Sequence, residues 1–130
     1  MKFSLTKKIT TIALIAFFSQ LTLAQANPNG AAFREIADIV ASLNHFPSDG
    51  DKAKLMAISS NDALAQPLRE MATAVANISH AANAEGKAAM AGVQANSEVP
   101  DRAKELAGII ASLSHTPSAE AKAALAAMFQ

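Results

Sequence analysis

The sequence contains three histidines, His45, His80 and His115, which follow one another at intervals of 35 residues. Neutral imidazole is a ligand of zinc, copper and nickel, so these side chains are candidate metal ligands. A single ion needs a ring nitrogen of each residue about 2 Å away, which requires the imidazoles to converge within about 5 Å. A haem axial ligand is a variant, but the chain has no cysteine and hence no C-x-x-C-H attachment motif. We expect no cofactor, with a transition metal as the alternative.

The same histidines also have a structural interpretation, because each lies in a similar stretch of seven residues. The stretches read SLNHFPS at 42–48, NISHAAN at 77–83 and SLSHTPS at 112–118. A histidine in the last turn of a helix can bond to free backbone carbonyls, and its protonated form favours the negative helix end. In this simpler interpretation the three are helix-end residues, and replacing them with asparagine lowers the melting temperature.

Other chemistry has weaker support in the residues. Ser112, His115 and Glu120 could be written as a catalytic triad, but each lies in a position that recurs along the chain. The sequence has no G-x-S-x-G elbow, no glycine-rich phosphate loop and no H-E-x-x-H motif. These observations predict a protein that is not an enzyme.

The 35-residue interval extends well beyond the histidines. Matching positions include Glu35, Glu70 and Glu105, then Ala37, Ala72 and Ala107, then Lys52, Lys87 and Lys122. A period of about 20 to 50 residues is typical of stacked supersecondary units. The sequence therefore predicts three repeats, at about 33–58, 68–93 and 103–129.

Each repeat is predicted to contain two helices. In the first repeat, residues 33–44 place their apolar side chains at i, i+3, i+4 and i+7, as on one face of a helix: Ile36, Ile39, Val40 and Leu43. In each repeat a second, shorter helix is predicted to follow a residue that can cap it. This residue is Ser48 in the first repeat, Asn83 in the second and Ser118 in the third. Asp62 and Ser97 are candidate caps for the helices that open the next repeats. The predicted fold is all-α, with three helix-turn-helix repeats and six short helices.

Helical spacing does not choose between a short α-solenoid and a compact helical bundle. In an open solenoid, equivalent residues of neighbouring repeats lie about 10 Å or more apart. The three histidines would then form a line along one edge, and only a closed bundle would bring them together.

The first 26 residues read as a secretory signal peptide. Lys2, Lys7 and Lys8 precede an apolar run over about 9–18, and the segment ends in the small-residue pattern Ala24-Gln25-Ala26. The apolar run is shorter than the roughly 20 residues that span a membrane. We therefore expect an exported protein, periplasmic or secreted, with no stable membrane anchor after cleavage and a single domain at 27–130.

Composition narrows the possible partners. Residues 27–130 contain 8 Lys and Arg against 11 Asp and Glu, and this mildly acidic balance argues against binding of nucleic acid. The chain has no cysteine, tryptophan or tyrosine, so disulfides are excluded and large aromatic anchors are scarce. Alanine, the strongest helix former, supplies 27 of these 104 residues, which favours an all-α fold.

Helical repeats usually present extended surfaces for binding. The sequence therefore predicts a non-catalytic module that binds another exported protein or peptide. One alternative is a periplasmic protein that binds zinc, copper or nickel through the histidines. The other is a structural or stress-related protein without a specific ligand.

Overall fold

A computed structural model describes residues 28–130, which form six helices and no strand. The helices are α1 (Pro28–Ser42), α2 (Asp49–Ser59), α3 (Gln66–Ala76), α4 (Ala84–Ala95), α5 (Asp101–Ser112) and α6 (Ala119–Ala127). The predicted all-α class and the six helices are confirmed. The predicted signal peptide at 1–26 lies outside the described residues. Within the described residues, no helix is both long and apolar enough to cross a membrane.

The helices form a compact bundle around one hydrophobic core. Residues 35 apart take equivalent places in it: three such sets are Ile36, Met71 and Leu106, then Val40, Val75 and Ile110, then Leu55, Met90 and Leu125. All members of the first two sets, which lie on α1, α3 and α5, are completely inaccessible to solvent. These three helices also contact one another. They form the inner part of the bundle, with alanines such as Ala37 and Ala72 allowing close approach.

Each inner helix forms a hairpin with the helix that follows it: α1 with α2, α3 with α4, and α5 with α6. The second, outer helix of each hairpin contacts the next hairpin. Helix α2 packs on α3 and α4 packs on α5, so each second helix contacts the first helix of the following hairpin. Helix α6 continues this order by packing on α1, the first helix of the bundle. The six helices therefore close on themselves instead of extending as an open solenoid.

Side chains near the beginning and the end of the described chain contact each other and close the bundle. The ring centroids of Phe33 and Phe129 are 5.6 Å apart, and the Arg34 guanidinium lies 4.9 Å from the centre of the Phe129 ring. Arg102 donates a hydrogen bond of 2.8 Å from Nη1 to the carbonyl of Met128. Aromatic contact, cation–π attraction and a charged hydrogen bond thus hold the residues that follow α6 against α1 and α5.

The predicted N-caps are correct for the second helix of each hairpin and wrong for α3 and α5. The predicted caps of the second helices are confirmed, because Ser48, Asn83 and Ser118 each accept a hydrogen bond from a backbone N–H in the first turn. The predicted caps Asp62 and Ser97 are wrong. Ala65 and Pro100 occupy the N-cap positions of α3 and α5 without side-chain caps. Helix α1 also starts at Pro28, five residues earlier than predicted, and stops at Ser42 instead of Asn44.

Candidate metal centre

The three histidines occupy the turns that follow the inner helices. Helix α1 ends at Ser42 and α5 ends at Ser112, so His45 and His115 lie three residues beyond a helix. His80 lies four residues beyond the end of α3. The expected position in the last helical turn is therefore wrong, because each chain segment has already left its helix when the histidine is reached.

All three histidines adopt a left-handed backbone conformation. Their φ angles are 67° for His45, 68° for His80 and 64° for His115, and they are the non-glycine residues with positive φ in the described chain. For an L-residue this conformation costs about 1–2 kcal/mol, although histidine occurs in it more often than most residues do. It reverses the chain between the inner helix and the cap of the outer helix.

The reversed turns meet in a closed ring of backbone hydrogen bonds. The N–H of His45 donates to the carbonyl of His115 at 2.6 Å, and the N–H of His80 donates to the carbonyl of His45 at 2.6 Å. The N–H of His115 donates to the carbonyl of His80 at 2.5 Å, which completes the cycle. Main-chain atoms thus hold together three residues that are 35 and 70 positions apart in sequence.

This cycle of backbone hydrogen bonds brings the three imidazoles into contact. We call His45, His80 and His115 the histidine triad. The ring centroids are separated by 5.2 Å for His45 and His80, and by 5.1 Å for each of the other two pairs. One nitrogen from each ring lies within 4.8 Å of the corresponding atoms of the other two. His45 is half-buried, whereas His80 and His115 are exposed.

The centroid separations match those of a three-histidine metal site. An ion bound tetrahedrally at about 2.05 Å from each nitrogen, with each centroid about 1.1 Å further out, places the centroids about 5.1 Å apart. The nitrogens of such a site lie about 3.3 Å apart, whereas the chosen nitrogens of the triad lie within 4.8 Å of one another. Rotation about the Cβ–Cγ bond turns the nitrogens inward without moving the centroid, and this torsion is soft. The centroid spacing of the triad is therefore close to that of three imidazoles around one ion.

Neighbouring side chains hold two of the three rings. His45 Nδ1 lies 2.6 Å from Asn44 Oδ1, an atom that only accepts hydrogen bonds. In this pair Nδ1 is the donor, and in the neutral form of such a ring Nε2 is the nitrogen with the free lone pair. His115 Nδ1 pairs with Ser114 Oγ at 3.1 Å. For Ser79, the equivalent residue before His80, the described chain shows no side-chain bond to the ring.

Ser112, which was considered as a nucleophile, forms hydrogen bonds within its own helix. Ser112 Oγ donates to the carbonyls of Gly108 at 2.9 Å and Ile109 at 3.3 Å, both in its own helix. The side-chain partner of His115 Nδ1 is Ser114. The arrangement Ser112, His115 and Glu120 is therefore not assembled as a hydrogen-bonded triad.

The sequence contained one signal for the convergence of the histidines. A solenoid ends in a repeat with a polar outer face, but α6 and its C-cap carry Leu125 and Met128 where α2 carries Leu55 and Ile58. Leu125 and Met128 are buried, at 3% and 6% exposure, and α6 packs against α1. The left-handed histidine turns had no such signal, because glycine usually marks that conformation.

The arrangement brings one ring nitrogen from each of three imidazoles within 4.8 Å of the others, and imidazole is a ligand type that suits a divalent transition metal ion. In the described residues, the histidine triad is the cluster of three or more His, Cys, Asp or Glu side chains that meets this spacing. No protein-family model matches the chain, and no curated protein or solved structure matches it.

Proposed function

We propose that the protein binds one divalent transition metal ion, of the class of zinc, copper and nickel, through His45, His80 and His115. The observation that supports this proposal best is the meeting of the three imidazoles, with centroids 5.1–5.2 Å apart. Imidazole is a preferred ligand for all three metals. A role in metal handling outside the cytoplasm agrees with the export signal predicted at 1–26.

The backbone conformation of the triad supports the same proposal independently. Glycine adopts a positive φ with no steric cost, so a turn of this kind is filled most easily by glycine. The chain instead has a histidine in all three turns, at φ angles of 64–68°. Residues in such unfavourable conformations concentrate at ligand sites, where the side chain has a use that offsets the cost.

A binding measurement on single-residue variants tests the proposal. Equilibrium dialysis of protein without an affinity tag is expected to give one zinc ion per wild-type chain. Replacing His80 with Asn removes one of three ligands, and we expect the affinity to fall by more than about 100-fold, since lesser changes around metal ligands already cost about 10- to 100-fold. Glu98→Gln, which changes an exposed carboxylate outside the triad, is the matched control. Equal zinc binding by the wild type and His80→Asn would contradict the proposal.

The side chains beside the triad give a further prediction. Asn44→Ala removes the acceptor that orients His45, and we expect zinc affinity to fall by about 10-fold. Ser79→Ala is the matched control, because the equivalent Ser79 has no hydrogen bond to the His80 ring in the described chain. Competition with a chelating dye measures both affinities. Equal losses in the two variants would show that hydrogen bonding to Nδ1 does not tune the site.

Binding of another exported protein or peptide, expected from the helical-repeat pattern, stays a prediction. The large exposed apolar side chains of the described residues are Phe46 and Met56, at 58% and 63% exposure. Single exposed apolar residues are ordinary on protein surfaces. The converged imidazoles give metal binding the more specific support.

A further inference from the structure

The histidine triad would supply three imidazole ligands to a bound ion. No Asp, Glu or further His of residues 28–130 belongs to the cluster with the required ligand spacing. The carbonyl oxygens of the triad residues each accept a hydrogen bond from the N–H of the next triad member. An ion held by the three imidazoles would therefore keep one coordination position for a ligand from outside the chain.

Charge determines which outside ligand this position favours. Metal-binding imidazoles are neutral, so the three ligands leave the double positive charge of the ion uncompensated. No described carboxylate lies in the cluster to reduce that charge. An anion is therefore favoured over a neutral donor at the remaining position.

Solvent access to the triad determines the size and the source of the ligand. His80 and His115 are exposed, and His45 is half-buried, so a small solute reaches the rings without movement of a helix. Three protein ligands and one open position are also the arrangement of zinc sites that bind and exchange small molecules, whereas structural zinc sites are closed by four protein ligands.

We propose that the metal-loaded triad is an exchangeable anion-binding site, at which the ion accepts one small monoanion from solution at its open position. This inference rests on the proposed metal binding. It adds that the metal is held for reaction or exchange with an external ligand instead of serving as a closed structural clamp.

Cobalt substitution tests this inference. Cobalt(II) replaces zinc in nitrogen-ligand sites, and its visible absorption bands report coordination number and ligand type. We expect the cobalt-loaded protein to show bands of tetrahedral cobalt, and we expect added azide to change them until one azide is bound per cobalt. Glu98→Gln is expected to behave like the wild type, and His80→Asn is expected to lose both responses.

The possible outcomes separate this inference from the metal proposal. Cobalt bands that azide leaves unchanged would overturn the anion site while leaving metal binding intact. Doubling of the mass by light scattering on cobalt loading, with no azide response, would overturn it too, because a second copy would then fill the open position. Absence of binding of both cobalt and zinc would overturn the metal proposal itself. Saturable azide binding to a cobalt-loaded monomer would support the inference.

Discussion

Addition of zinc is expected to raise the melting temperature of the wild-type protein by more than about 10 °C. A ligand that binds only the folded state adds about 4 kcal/mol to its stability when its free concentration is 1,000 times the dissociation constant. In a domain of this size each kcal/mol raises the melting temperature by about 4–8 °C. The effect is large because the triad joins turns from all three hairpins and does not exist in the unfolded chain.

The variant with His45, His80 and His115 all replaced by Asn is the decisive comparison. Its melting temperature is expected to be unaffected by zinc, because the amide side chains do not replace imidazole at this site. Without metal its free energy of unfolding should match that of the wild type within about 0.5 kcal/mol. Asparagine tolerates the left-handed conformation, and the cyclic hydrogen bonds are made by backbone atoms, which the substitutions do not change. Differential scanning calorimetry measures both quantities. A large loss of stability in the metal-free variant would favour a structural role for the histidine side chains.

Leu106→Ala is expected to destabilise the protein by about 3 kcal/mol. Leu106 is completely buried on α5, and removal of buried leucine side chains costs about 2–5 kcal/mol through lost contacts and a residual cavity. This is a large part of a typical total stability of about 5–15 kcal/mol. Urea unfolding followed by circular dichroism measures the change.

Met56→Ala is the matched control for this core substitution, because Met56 is 63% exposed and its loss is expected to cost less than about 0.5 kcal/mol. Zinc adds a second comparison. If Leu106→Ala loosens the core without opening the bundle, zinc should raise its melting temperature by as much as it raises that of the wild type. A cost below about 1 kcal/mol for Leu106→Ala would contradict the position of α5 in the inner part of the bundle.

The sequence predicted what depends on local chemistry. The apolar period placed Ile36 and Val40 on the buried face of α1, and Ser48 was identified as a cap from its residue type alone. The N-caps of α3 and α5 were missed because linker residues such as Asp62 have the polar side chains typical of caps, whereas Ala65 has no side chain that can accept a capping hydrogen bond.

The meeting of the histidines could not be predicted from the same local signals. An open stack and a closed bundle need the same apolar period in the helices of the first two hairpins, and the difference lies in whether α6 reaches α1. The sign of φ at His45 was equally hidden, since histidine is common in ordinary conformations too. The candidate site therefore depends on the closed architecture, whereas its ligands were visible in the sequence.

The cyclic hydrogen bonds among the triad residues have a consequence for how the protein folds. Each bond joins residues from different hairpins, and the bond between His45 and His115 spans 70 positions of the chain. One hairpin, or two, leaves the cycle open, so the contacts between neighbours do not build the site step by step. The backbone ring, and any ion bound beside it, forms only when the third hairpin has docked on the first. Metal occupancy would thus distinguish completely folded molecules from partly folded ones.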